Sequence, residues 1–189
     1  IATAVLIKEF ENKNVKFSFV KFVKSNKPYL KIKNGWTPLV NPDFVVATDF
    51  EINGPRNIKN IMLTGPGGCG KSTSMKELCK NIIMAQTLGI APAESIELAP
   101  YSKICTAIGV EEDLSRNKSK FMAQQERMNN IEKIIDETAA TTKLDGENDK
   151  LVFIAVDECY NGTTEILGAK LLYNFALKAS RAEHTTSII

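Results

Sequence analysis

The sequence predicts an α/β fold with a mainly parallel central sheet flanked by helices, preceded by a β-rich segment. Three observations carry this. Residues 151–156 (Leu-Val-Phe-Ile-Ala-Val) are an unbroken apolar run of the length expected for a strand buried on both faces. From residue 58 onward, strand signals alternate with helical stretches. Between one such strand and the helix after it lies a glycine-rich loop.

The elements follow in order. Residues 1–12 read as the end of a helix, with Val5, Leu6 and Phe10 near helical spacing. Over 14–33, Val15, Phe17 and Phe19 alternate with polar residues, and Val20, Phe22, Tyr29, Leu30 and Ile32 come in short runs around a Ser25-Asn26-Lys27-Pro28 turn. Strand signals recur at 49–52 and 58–64, a helix is predicted over 71–87, and another strand over 101–108. Residues 119–142 form a long helix with Phe121, Met128, Ile131, Ile134 and Ile135 on one broad face. A polar loop at 144–150, the strand at 151–156, a helix over 163–180 and a strand starting at 185 complete the chain. There is no internal repeat and no low-complexity tract.

Composition bounds the function. The 189 residues carry 24 Lys+Arg against 22 Asp+Glu and are 43% apolar, enough for a domain with a real core and unlike a disordered chain. No apolar run is long enough to span a bilayer, so no membrane partner is expected. A net charge of +2 does not mark a dedicated nucleic-acid binder. The charge is uneven, however: residues 1–33 hold 8 Lys against 2 Glu, a net +6. Lysines between aromatics suit either a nucleic-acid surface or an edge strand whose lysines face solvent; the edge strand is the reading adopted. Cys69, Cys79, Cys105 and Cys159 show no C-x-x-C spacing and, with one His, make no familiar zinc site; reduced thiols in a cytosolic or nuclear protein are expected. No signal-peptide pattern is present, and both ends read as cut from something longer.

Gly65-Pro66-Gly67-Gly68-Cys69-Gly70-Lys71-Ser72 fits G-x-x-x-x-G-K-[ST] at every fixed position. Glycines let successive N–H groups turn toward phosphate oxygens, and the helix that follows adds its positive dipole end. Lys71 supplies a cation for the β- and γ-phosphates, and Ser72 a hydroxyl for Mg²⁺. Downstream, the apolar strand ends in Asp157-Glu158. A carboxylate at the tip of such a strand is costly unless it serves a cation. Asp157 is the expected Mg²⁺ partner, and Glu158 is placed to polarise an attacking water.

Further residues narrow this. Thr64 to Thr73, read through the loop, resembles the TGPNMGGKST of the MutS mismatch-repair family. Pro92-Ala93-Glu94-Ser95 followed by Glu97-Leu98-Ala99-Pro100 is similar to that family's stretch after the first helix. Ile108-Gly109-Val110-Glu111-Glu112-Asp113-Leu114-Ser115, Ser119-Lys120-Phe121-Met122, Asp157-Glu158, and Gly162-Thr163-Thr164 with Gly168 resemble its later motifs, in order. Pro38, Asn41 and Pro42 resemble the segment leading in, so the likeness covers about residues 27–189.

The resemblance implies an ABC-type P-loop ATPase over residues 14–189, C-terminally truncated, with residues 1–13 ending a helical lever. It implies ATP and Mg²⁺ as cofactors and work as a homo- or heterodimer with a second MutS-like subunit. DNA would be gripped by regions outside this chain, in the cytoplasm (nucleoid), or in the nucleus of a eukaryote. Carried over, Ser119 would reach the partner's γ-phosphate, although it also suits an ordinary helix N-cap. Residues 161–164 would lie in a loop crossing the dimer interface, or form a turn and cap.

The departures are specific. The family's Asn-Met is Gly67-Gly68 here, and the Gly after it is Cys69. Its adenine-stacking aromatic falls at Leu39, which has no π-face; Trp36 is near enough to substitute but reads first as core. Cys159-Tyr160-Asn161 replaces I-G-R. The family's water-positioning His would follow Ile189, and His184 is not its equivalent but a surface residue before the last strand. These departures suggest a divergent member. Three alternatives stand beside mismatch repair. One is a MutS-like ATPase on branched DNA or ribosomes, and another is a nucleotide-binding regulatory module with weak turnover. The third is a remodelling ATPase using Arg116, Arg127 or Arg181 as an arginine finger.

Overall fold

In the computed structural model the described residues are 5, 15–109, 120–145, 150–160 and 163–189, without side chains at 42, 120 and 141–145. Of the lever end expected over residues 1–13, all but Val5 lies outside them. The strands are β1 (Ser18–Phe22), β2 (Leu30–Gly35), β3 (Thr48–Ile52), β4 (Asn60–Ile61), β5 (Ile90–Ala91), β6 (Ser95–Leu98), β7 (Lys103–Ala107), β8 (Val152–Val156) and β9 (Thr185–Ile188). The helices are α1 (Lys71–Leu88), α2 (Lys120–Asp145) and α3 (Glu165–Arg181), with a 3-10 turn at Pro42–Phe44. Two compact units form, one from Ile1–Ile58 and Gly65–Pro100, the other from Lys59–Thr64 and Tyr101–Ile189.

The first unit holds a mixed sheet in the order β3-β2-β6-β1-β5. β2 runs antiparallel to β3 and β6, whereas β1 and β6 are parallel. Register aligns Leu30 with Leu98 and Ile52, and Ile32 with Ile96 and Phe50, so one face is apolar. α1 packs against β2 and β5, burying Met75, Leu78, Ile82 and Ala85. It ends at left-handed Gly89, whose N–H donates to Ala85 O at 3.1 Å.

The other face explains the basic stretch. Lys31 stands in register with Glu51 and Glu97. Lys21 Nζ reaches Glu97 Oε1 at 3.0 Å, and Lys33 Nζ reaches Glu94 Oε1 at 2.7 Å. These lysines are solvent-facing, as expected, but β1 and β2 are interior strands rather than edges. Their charge is balanced by acids that arrive from β3, from β6 and from Glu94 just ahead of it. β5 and β6, beyond α1, complete the β-rich segment, so it is not confined to the N-terminal residues.

The second unit is a parallel sheet in the order β4-β9-β8-β7. Every residue of β8 is buried, as the apolar run predicts. Val152, Ile154 and Val156 form one core cluster with Cys105 and Ala107 of β7, Met128, Ile131 and Ile135 of α2, and Phe175 and Ala179 of α3. Both helices therefore cover the same face of this sheet. Phe121 and Ile134 of the predicted apolar stripe sit half-buried against the cluster. Lys178 ties α3 to α2 through Asp136 at 2.8 Å and Glu132 at 3.3 Å. The strand expected over 58–64 shortens to Asn60–Ile61, although Leu63 N still donates to Ile189 O at 2.7 Å. α2 runs through Asp145, past the loop start predicted at 144.

Candidate functional site

The glycine-rich loop belongs to the first unit. Gly65, Pro66, Gly67, Gly68 and Cys69 are exposed, Gly70, Lys71 and Ser72 are half-buried, and Thr73 is exposed. Gly68 (φ 76°) and Gly70 (φ 93°) are left-handed, a conformation in which glycine carries no Cβ penalty. A Cβ built at Gly67, Gly68 or Gly70 would meet nothing within 4 Å, so backbone conformation, not crowding, demands glycine at 68 and 70. Gly70 caps α1 without a side-chain bond, and Ser74 N donates back to Gly70 O at 2.9 Å. The N–H groups ahead of Ser74 are the orphan donors of a helix start, suited to an anion. Lys71 Nζ folds over the loop and donates to Gly65 O and Pro66 O, both at 2.8 Å, with Cys69 Sγ at 3.7 Å.

Upstream in the same unit, Leu39 is 73% exposed and Phe44 is 77% exposed. Trp36 is not a base platform: it is 1% exposed, its Nε1–H donates to Lys16 O at 2.8 Å, and Phe17 packs on it edge-to-face at 5.3 Å. Phe44 is an exposed aromatic that the sequence did not single out. It ends the 3-10 turn capped by Asn41, whose Oδ1 accepts from Asp43 N at 3.1 Å. The signal in the sequence is an aromatic closing an Asn-Pro-Asp turn at the head of the short apolar run Phe44-Val45-Val46-Ala47.

The acid pair belongs to the second unit. It follows β8, where the interior parallel strand gives out, the usual position of ligand sites in such sheets. Asp157 is half-buried, and its N–H donates to Ala107 O at 3.0 Å. Glu158 is exposed and left-handed (φ 50°), an uncommon conformation for a non-glycine residue, as is Tyr160 (φ 66°). Gln124 Nε2 of α2 donates to Glu158 O at 3.2 Å. Gly168 lets α3 approach this turn: a Cβ there would lie 3.1 Å from Tyr160 O. The backbone is thus held from β7, α2 and α3, leaving the Glu158 side chain exposed.

Other expected residues fall as follows. Ser119, Arg116 and the 110–115 segment lie outside the described residues, as do 161–162. Thr164 is the N-cap of α3, without a side-chain cap bond. Arg127 Nε donates to Thr106 O at 2.7 Å, and Arg181 is exposed in the last turn of α3. His184 precedes β9 and is half-buried. All four cysteines are free thiols, and burial pushes those of Cys79 and Cys159 up to about 11. Among the described residues no three His, Cys, Asp or Glu converge. The Ser72 hydroxyl in the first unit and the Asp157 carboxylate in the second are each hard oxygen donors of the kind Mg²⁺ takes.

Residues 61–186 match the family described as MutS domain V. The chain is 33% identical over 121 residues to the DNA mismatch repair protein MutS of Carboxydothermus hydrogenoformans, a match covering 62% of this chain and 14% of that protein. It is 34% identical over 128 residues to the MutS of Dehalococcoides mccartyi, covering 66% and 15%. It is 31% identical over 175 residues to the MutS of Fusobacterium nucleatum, covering 90% and 18%. The matched region is under a fifth of the length of each of these relatives. With two thirds of its length inside the family match, the chain belongs to the MutS family through its domain V.

Proposed function

We propose that residues 14–189 are the ABC-type P-loop ATPase domain of a MutS-like DNA mismatch repair protein, with residues 1–13 ending a lever. The observation that carries this is the open glycine loop running straight into α1. Left-handed Gly68 and Gly70 bring the chain to a helix start that has no side chain of its own to satisfy it. The family match and the acids closing a buried parallel strand support the same reading.

In this reading Gly65, Pro66, Gly67, Gly68, Cys69 and Gly70 present backbone to the phosphates, N–H groups foremost, and Thr73 completes the first turn. Lys71 leaves the carbonyls of Gly65 and Pro66 for phosphate oxygens, exchanging neutral acceptors for charged ones. Ser72 and Asp157 would hold Mg²⁺, which supplies neutralisation of phosphate charge. Glu158 accepts a proton from the attacking water, and its exposed side chain on a fixed backbone suits that task. Leu39 and the more exposed Phe44 are the candidates for the base, Phe44 alone offering a π-face. Ser119 would act in trans on the nucleotide of a second MutS-like subunit. DNA would be held by parts of the protein other than this chain, in the cytoplasm or, in a eukaryote, the nucleus.

The test is steady-state ATP turnover by the full-length protein with mismatched and with fully paired duplex. A response specific to the mismatched duplex is expected. Equal response to both points instead to branched DNA or ribosomes as the target. Absence of turnover with ATP still bound points to the regulatory module.

A further inference from the structure

α1 buries two polar side chains where a helix of this kind buries apolar ones. Glu77 is 3% exposed and Asn81 0%. Glu77 Oε1 and both amide atoms of Asn81 are buried without a hydrogen-bond partner. They sit one helical turn apart and converge on one point of β2. A Cβ built at Gly35 would lie 3.1 Å from Glu77 Oε1 and 3.1 Å from Asn81 Nδ2. Gly35 thus leaves bare backbone opposite two of these polar atoms, Glu77 Oε1 and Asn81 Nδ2, beside Ile32 Cγ2. Folded proteins seldom keep such atoms dry, and a buried water supplies two to four hydrogen bonds at a site of this kind.

We infer that Glu77 and Asn81 form an internal polar site against Gly35 that takes one water molecule, and that this site positions α1 and, with it, Lys71 and Ser72. Those two residues lie in the first turn of the helix that carries Glu77, so a shift of α1 on the sheet moves them with it. Among the described residues no charged partner neutralises Glu77. β2 contributes Gly35 and Ile32 at this point, and β5 is only Ile90–Ala91. Lys31 and Lys33 belong to the exposed face of the sheet, and Lys76 and Lys80 of α1 are not buried. Burial alone pushes the Glu77 carboxyl from 4.5 up to about 7. Below about pH 7 the neutral acid is therefore the folded form, able to donate as well as accept. Its contribution to stability is fully present below about 4.5 and is lost as pH rises through about 7.

Only the positioning half of this inference rests on the proposed nucleotide site, so two measurements on the full-length protein separate the two. The first is Tm without nucleotide from pH 5.5 to 8.5, for wild type and Glu77→Gln. Between pH 5.5 and about 7 wild type is expected to lose Tm relative to Glu77→Gln, with the two profiles levelling off above that; profiles parallel over pH 5.5 to 7 overturn the buried neutral acid. The second is affinity for a fluorescent ATP analogue. Glu77→Gln is expected to bind as wild type does. Glu77→Leu with Asn81→Leu, which replaces the polar site by apolar side chains, is expected to bind about tenfold more weakly or worse. Wild-type affinity in that folded double variant overturns the positioning role. Should the double variant not fold, Gly35→Ala, which puts a methyl group into the site, takes its place under the same criterion. A high-resolution crystal structure with no solvent peak between Glu77 and Asn81 overturns the water. If wild type itself binds no analogue, the nucleotide reading fails while the Tm comparison still decides the site.

Discussion

Along β2, buried and exposed residues alternate, Leu30 and Ile32 inward and Lys31 and Lys33 outward; along β8 every residue from Val152 to Val156 is buried. The two sheets carry different groups of candidate residues. The mixed sheet supports α1 and the glycine loop, which presents exposed backbone. The parallel sheet supports Asp157 and Glu158, whose side chains stand on a backbone held from several directions. The difference teaches where each half is vulnerable. The loop fails through conformation and charge, the acid pair through the packing beneath it.

The sharpest way to break that contrast is in the core. Phe153, fully buried in β8 and edge-to-face with Tyr101 at 5.5 Å, should cost ~3–5 kcal/mol when cut to Ala, read by chemical denaturation. A cost near that of a surface change would erase the distinction between the sheets. Next is Lys71→Ala, which should weaken ATP binding by about tenfold to a hundredfold with Tm unchanged, because among the described residues its amine bonds to exposed loop carbonyls and Cys69. Gly70→Ala should cost ~1–2 kcal/mol from the left-handed backbone alone, since its Cβ meets no neighbour. Calorimetry that finds this variant as stable as wild type would remove conformation as the reason for glycine there. Smallest is Lys31→Ala on the solvent face of the mixed sheet, expected within ~0.5 kcal/mol of wild type and with ATP affinity unaltered.

The same contrast explains what could be read from sequence. β8 was legible because a strand buried on both faces leaves a continuous apolar run, here residues 151–156. The loop was legible because Gly70-Lys71-Ser72 is constrained by backbone and phosphate chemistry together. β5 and β6 were not read as strands: Ile90–Ala91 is two residues between Gly89 and Pro92, and Ser95–Leu98 is too short for its alternation to stand out. The lysines before residue 34 gave no hint that Glu94 and Glu97 would meet them, since that pairing depends on strand order. Leu39 was singled out by its place in a motif, whereas Phe44 needed its exposure to be seen. Glu77 and Asn81 were invisible for the opposite reason: polar residues on a helix read as solvent-facing, and these two are buried.

The proposed base, Glu158, is tested most directly by steady-state ATP hydrolysis in the full-length protein carrying Glu158→Gln, with ATP binding measured alongside. The account predicts binding retained and turnover lower by about a hundredfold or more. Turnover within about twofold of wild type, where general-base catalysis would demand a far larger loss, would contradict it.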